Sequence, residues 1–143
     1  MMTGKYPDAP RAAVGAVVFK NGAVLLVKRG KSPSLGLWAI PGGSVRLGET
    51  LQAAAEREIQ EETGVVIRCG QPVLTFDVIQ RDDDDHVVYH YVIVDLAAEY
   101  VSGEPQAADD ADDARWVRET ELAELPVNPA TRQLLMESFH FGK

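Results

Sequence analysis

The chain has one cysteine in 143 residues, Cys69, so no internal disulfide can brace it. No Cys/His group has the spacing of a structural zinc site, and the lone thiol reads as inert packing. Long apolar runs are missing too. The longest, such as Ala12 to Phe19, falls far short of the ~20 residues that a membrane-spanning helix needs. The start, Met1 to Ala13, has no apolar stretch ahead of a cleavage site, so no secretory signal is expected and the location expected is cytoplasmic. Basic residues are scarce, with 14 Lys+Arg against 22 Asp+Glu and a formal net charge of −8. Such a surface opposes the counterion-release binding that holds proteins on duplex nucleic acid. An anionic ligand would have to arrive with a cation.

What is present is an ordinary globular composition, 45% hydrophobic and 25% charged, in one domain's length of chain. Residues 1–11, with Pro7 and Pro10, read as a flexible N-terminal leader, and 12–143 as a single domain. Val14 to Phe19 and Ala23 to Val27 are β-rich runs joined by Asn21-Gly22, a strong hairpin signal. Pro41-Gly42-Gly43 should break any regular element. Thr50 is placed to N-cap a helix over Leu51 to Thr63, and Gly64 to end it. Val65 to Arg68, Val73 to Gln80 and His86 to Ala98 read as strands, with the acidic Asp82 to Asp85 as the turn of a second hairpin. After an acidic loop over Gly103 to Asp112, Arg115 to Val117 reads as a short strand. Asn128 then caps a final amphipathic helix with Pro129 at its first position. Antiparallel hairpins with two helices to cover the sheet faces define a mixed α/β class.

The chemistry emerges from the wheel of the first helix, at about 100° per residue from Leu51. Ala54, Ala55 and Ile59 centre the apolar stripe close to Leu51, and Glu58 and Glu62 fall within about 20° of that centre. Glu61 borders the stripe, and Arg57 lies within i,i+4 reach of Glu61. A solvated acidic face is the usual meaning of such a charge run, but here two carboxylates point along the stripe that must be buried. They also occupy the last turns, where the helix dipole disfavours negative charge. A hard divalent cation relieves these penalties together, because Mg²⁺ takes carboxylate oxygens while keeping water for a phosphate ligand.

Gly43, five residues, Glu49, seven residues, and then Arg57-Glu58-Ile59-Gln60-Glu61-Glu62-Thr63-Gly64-Val65 resembles the Nudix box in every defined position. Seven fixed identities at average usages of roughly 5 to 7% would coincide about once in 10⁸ starting positions. The upstream Trp38-Ala39-Ile40-Pro41-Gly42-Gly43 and the order of hairpins and helices are similar to that family as well. The resemblance implies an α/β/α sandwich, a mixed β-sheet between helices, with a catalytic loop-helix-loop. It implies hydrolysis of a diphosphate linkage in a nucleoside diphosphate derivative by water, with Mg²⁺ as cofactor and Mn²⁺ able to substitute. The partner implied is a small nucleotide, and a homodimer is possible.

By the same resemblance Glu58 and Glu62 are the main metal ligands, with the Gly43 carbonyl as a further one. Glu61 serves a second ion or positions water. Arg57 orients a box carboxylate, and Glu49 ties the loop to the helix in a supporting role. The general base stays open between Glu58 and Glu61 within the box and Asp110 or Asp112 outside it, the last two also being candidates for substrate contact. Arg29 and Arg46 are candidates for phosphate contact, as are Lys28 and Lys31. Phe76, Tyr89 and Tyr91 are aromatic residues in strands, more often core than base-stacking. His86 and His90 read as structural. The layout is similar to bacterial members described as ADP-ribose pyrophosphatases, although those carry a proline about sixteen residues beyond the box and Val78 to Asp82 has none. A nucleoside triphosphate pyrophosphatase therefore stays as the alternative, and a nucleotide-sensing module without hydrolysis as a third reading. Loss of box carboxylates would favour the third; all are present.

Overall fold

The computed structural model describes residues 5–31 and 34–142. Its strands are β1 (Arg11–Lys20), β2 (Ala23–Arg29), β3 (Trp38–Ala39), β4 (Gly42–Ser44), β5 (Val66–Arg81), β6 (Val87–Ser102) and β7 (Ala111–Arg118). Three helices join them: α1 (Leu51–Thr63), α2 (Glu119–Leu122) and α3 (Pro129–Phe139). Asn21 and Gly22 both take positive φ, 51° and 80°, as the tight β1–β2 hairpin requires. Residues 1–4 of the expected leader lie outside the described residues. Of the rest, Tyr6 donates its N–H to the Val88 carbonyl at 2.9 Å, and β1 already begins at Arg11.

The sheet splits at β1, and that split positions the box. Beyond Phe19↔Val24 and Lys20↔Ala23 the partners β1 and β2 part, leaving the edge at Ala13 to Gly15 free. β4 takes that edge, with Gly43 opposite Val14 and Gly42 opposite Gly15. The sequence expectation that Pro41-Gly42-Gly43 forms no regular element is thus corrected. Glycine lets β4 approach closely, since a Cβ on Gly42 would lie 2.1 Å from the Val14 carbonyl oxygen. On its other side β1 pairs in parallel with β6 over nine residues, and β6 pairs antiparallel with β5 at the sheet edge. β2 pairs with β3 and β7.

Alternation along β1 sorts α1 and α3 to opposite faces. Val14, Ala16 and Val18 join Ala54, Ala55 and Ile59 of α1, with Leu25, Val65 and Leu96. Val17 turns the other way, into a cluster with Val24, Leu26, Trp38, Val117, Leu134 and Leu135 beneath α3. The result is a mixed sheet between helices, an α/β/α sandwich. The two strands expected after α1 are one, β5, whose pairing slips around Pro72. Proline without an amide hydrogen is tolerated there because β5 is an edge strand. Asp112, expected in a loop, lies within β7. No helix among the described residues is long and apolar enough to cross a membrane.

Candidate active site

α1 begins and ends where its sequence expects. Thr50 Oγ1 accepts from the Ala53 N–H at 3.0 Å, and Gly64 takes φ 75° at the other end. The last carbonyls, normally orphaned, are covered by the loop between β6 and β7: Glu62 O accepts from Ala108 N–H at 2.9 Å and Thr63 O from Gln106 N–H at 2.8 Å. A segment that reads as a plain acidic connection in the sequence therefore fixes the backbone of the helix's final turn.

Arg57 organises the acidic face. Its Nε and Nη2 donate to Glu49 Oε2 and Oε1 at 2.7 and 2.8 Å, a bidentate fork. Nη2 also donates to the Ser44 carbonyl at 3.0 Å, and Nη1 to Glu58 and, at 3.4 Å, to Glu61. Glu49 accepts the Arg46 N–H as well. Arg57 and then that amide hold the Glu49 carboxyl down at about 2. The loop expected to be tied to the helix by Glu49 is tied through this guanidinium. Glu49 and Glu58 are its closer carboxylate partners, and Glu61 the more distant one.

Glu62 is the anomaly. It is only 6% exposed, and its Oε1 is buried with no hydrogen-bond partner among the described residues. Burial pushes its carboxyl up to about 7, against the opposing Arg29 charge and the Gly42 N–H that donates to it, with the Glu58 charge adding to the rise. An orphaned carboxylate oxygen, a second carboxylate close enough to be felt and the adjacent Gly43 backbone form a hard-oxygen donor set, which fits a divalent cation. Glu61, by contrast, has a side chain 42% exposed, facing Arg46 at 3.9 Å.

Beside the box lies a cavity of about 330 Å³, lined by Gly15, Ile40, Gly42, Gly43, Phe76, Ile93 and Asp95 among others. Of the candidates for substrate contact, Arg29 lines it. Arg46, Asp110 and Asp112 do not. Arg46 stands outward, two-thirds exposed. Asp110 is buried with Lys31 Nζ at 3.0 Å, and its carbonyl accepts from Gly30 N–H. The Asp112 carboxylate packs against Gly30. Tyr89 and Tyr91 are core, stacked at 6.3 Å with Val88 and Ile93 around them. A separate exposed group, Asp82, Asp84 and His86, sits in the β5–β6 turn, where Asp82 Oδ1 is engaged by the Asp84 and His86 amides.

Among the cavity residues that escape the sequence reading are Thr131 and Asp95. Thr131 lies on α3 and carries no motif. Asp95 does leave a signal, a single acid inside the apolar stretch Val92 to Leu96, which marks a residue that does not belong to the core.

The NUDIX domain profile matches residues 9–137, nearly the whole chain. An ADP-ribose pyrophosphatase of Methanocaldococcus jannaschii is 36% identical over 107 residues, 75% of this chain and 61% of that protein. The chain thus spans less than two thirds of that relative's length. Nucleoside triphosphatase NudI of Escherichia fergusonii is 31% identical over 134 residues, covering 87% of this chain and 94% of that one. Among solved structures, the NUDIX domain of Shewanella oneidensis NrtR, cocrystallised with ADP ribose, superposes with a TM-score of 0.69 at 28% identity over 90% of this chain and 85% of that one. With the complete box on a helix of this geometry and a family match of this extent, the chain belongs to the Nudix hydrolases.

Proposed function

We propose that the chain hydrolyses the diphosphate linkage of a nucleoside diphosphate derivative, ADP-ribose first, in a Mg²⁺-dependent reaction in which Mn²⁺ can substitute. The observation that carries this reading is the buried Oε1 of Glu62, without a partner among the described residues, beside Gly42 and Gly43. Glu58, Glu62 and the Gly43 carbonyl would hold the ion, with Glu61 at its margin. When bound, the cation neutralises the diphosphate and acidifies the attacking water. Names of relatives support the substrate: one is an ADP-ribose pyrophosphatase, and a structural neighbour holds ADP ribose.

The chain's own residues then have separable tasks. Arg57 fixes Glu49, Glu58 and the Ser44 carbonyl, so that the carboxylates do not reorganise during the reaction. Arg29, at the cavity wall with its charge felt at Glu62, meets a phosphate oxygen. Glu61 is the better base of the two in the box, because Glu58 is shielded and committed to Arg57 while Glu61 is open and held only at 3.4 and 3.9 Å. The water oxygen bonds to phosphorus, its proton passes to Glu61, and the bridging P–O bond breaks. For ADP-ribose the products are AMP and ribose 5-phosphate.

The test is a product-resolved chromatographic assay with Mg²⁺, offering ADP-ribose and nucleoside triphosphates at equal concentration. AMP with ribose 5-phosphate is expected, together with a loss of at least about 10²-fold in Glu62→Gln, a larger effect than outer partners of a metal usually have. Turnover unchanged in that variant would overturn the ligand assignment, and silence across the panel would overturn the hydrolase reading. A second reading, a nucleoside triphosphate pyrophosphatase, is favoured by the fuller coverage of NudI, at 94% of its length. Pyrophosphate and a nucleoside monophosphate would be its products.

A further inference from the structure

Asp95 is a charged residue in the wrong place for stability. It sits in β6, bonded on one side to β1 and on the other to β5, at 5% exposure. No hydrogen bond reaches its carboxylate among the described residues, and burial alone pushes its pKa up to about 6. A structural aspartate in a sheet centre would be expected to accept from a neighbouring amide, whereas the oxygens of Asp95 are not among the fully buried unpartnered atoms of the described residues and keep their access to the cavity that the residue lines. Here the surroundings make room for the carboxylate without bonding it. The residue across the ladder is Gly15, where a Cβ would stand 2.5 Å from Asp95 Oδ1 and 3.0 Å from Ile40 Cδ1. The side chain therefore occupies a notch between Gly15 and Ile40 on the cavity wall.

The register gives this notch a position relative to the box. Gly42 of β4, Gly15 of β1 and Asp95 of β6 lie in one row across the sheet. Two strand spacings of about 4.8 Å put Asp95 roughly 10 Å from the glycine whose amide holds Glu62. That is about one nucleoside away from a phosphate bound at the box. Between the two ends, Ile40, Phe76, Val78 and Ile93 give the cavity apolar walls suited to a flat ring.

We propose that Asp95 is the base-selecting residue of this site, accepting a hydrogen bond from the exocyclic amine of a purine seated in the cavity. The proposal rests on the nucleotide-hydrolase reading above and names the part of the substrate that reading leaves open. A ligand entering the cavity completes the desolvation of Asp95. An amino-bearing base compensates with a charge-assisted bond, and a base without a donor leaves the carboxylate buried and bare.

The experiment is calorimetric titration, with Mg²⁺ present, of AMP and of purine riboside 5′-monophosphate, which has hydrogen in place of the amine. Wild type is expected to favour AMP by about 10²-fold, the range for deleting a partner of a buried charged acceptor. Asp95→Ala should bring the two affinities within about threefold, by weakening AMP and leaving the analogue unchanged or tighter. Asp95→Asn keeps shape and a neutral acceptor, so an intermediate preference of about tenfold is expected, and it serves if the alanine variant does not fold. A merely structural Asp95 would change both ligands equally. Equal affinities in wild type, or an AMP preference that survives Asp95→Ala, overturn the proposal. If ADP-ribose is still hydrolysed in that case, the hydrolase reading stands without it. Selective AMP binding without turnover of any substrate would uphold Asp95 and overturn the hydrolase reading, and no binding of AMP at all overturns the Asp95 assignment whatever the turnover assay gives.

Discussion

The burial of Asp95 predicts that neutralising its carboxylate favours the folded protein progressively more as the pH rises from 4.5 to 7.5. In the folded chain its carboxyl is pushed up to about 6 from an ordinary 3.8 by burial. A raised carboxylate means that the folded state binds the proton more tightly than the unfolded one. The penalty for ionising is therefore absent well below the unfolded pKa, grows as pH rises between the two values, and is complete above the folded one. Over 2.2 pH units at 1.36 kcal/mol each, the full penalty is about 3 kcal/mol. Evaluated along the linkage curve, it is about 1 kcal/mol at pH 4.5 and about 3 kcal/mol at pH 7.5. Asp95→Asn removes the titration and adds a fixed cost for an unpaired amide, so the informative quantity is the change in the wild-type/variant gap with pH. Glu62 titrates in both proteins and cancels. Urea unfolding at the two pH values should show the variant gaining about 2 kcal/mol relative to wild type on going from pH 4.5 to 7.5. In thermal melts that is roughly 6 °C in the difference between Tm values. A gap that stays flat with pH would mean that Asp95 is solvated or paired in the folded protein, and would remove the physical ground on which its role in the cavity rests.

Other consequences follow from single contacts. Arg57→Lys cannot fill the fork on Glu49 while also reaching the Ser44 carbonyl and Glu58, so kcat is expected to drop about 10²-fold and the Mg²⁺ requirement to rise 10- to 100-fold in steady-state titrations. A change under about threefold would show that the carboxylates are held without it. Gly42→Ala places a methyl against the backbone of β1 at 2.1 Å from an oxygen, forcing β4 away; a loss of about 3 kcal/mol or more in urea unfolding is expected, and a neutral result would refute the close β4–β1 approach. Cys69, whose thiol burial pushes up to about 12 with Glu56 opposing ionisation further, should alkylate with iodoacetamide at pH 8 about 10³-fold more slowly than in urea. Peptide mass spectrometry reads this directly, and equal rates would contradict it.

The parts of the molecule legible in the sequence are those whose physics is local. The Asn21-Gly22 hairpin, the Thr50 and Gly64 ends of α1 and the Asn128-Pro129 start of α3 each rest on contacts within about four residues, and each is where the sequence places it. The wheel of α1 is local in the same sense, and it finds Glu62 buried because a helix fixes the directions of its side chains. The rest depends on pairing partners distant in the chain. Nothing near Pro41-Gly42-Gly43 reveals that β1 and β2 diverge and leave an edge for β4. Nor does the acidic run at 109–113 disclose that Lys31 neutralises Asp110 and that β2 draws Asp112 and Asp113 into a strand.

That division falls across the site itself. The reacting end is carried by one helix and its preceding loop, so its residues share a motif and a spacing. The end proposed to select the base is assembled in the row Gly42, Gly15 and Asp95, contributed by β4, β1 and β6, residues that no spacing joins. A change of ligand then requires substitutions only in the strands and in α3, without disturbing the fork of Arg57 or the burial of Glu62. On the proposed reading the box specifies a bond to be broken, while the strand row specifies what hangs from it. Within this chain the one residue in that row bearing an unmet charge is Asp95, which is why the choice of base, and not the chemistry of the phosphate, should respond to its replacement.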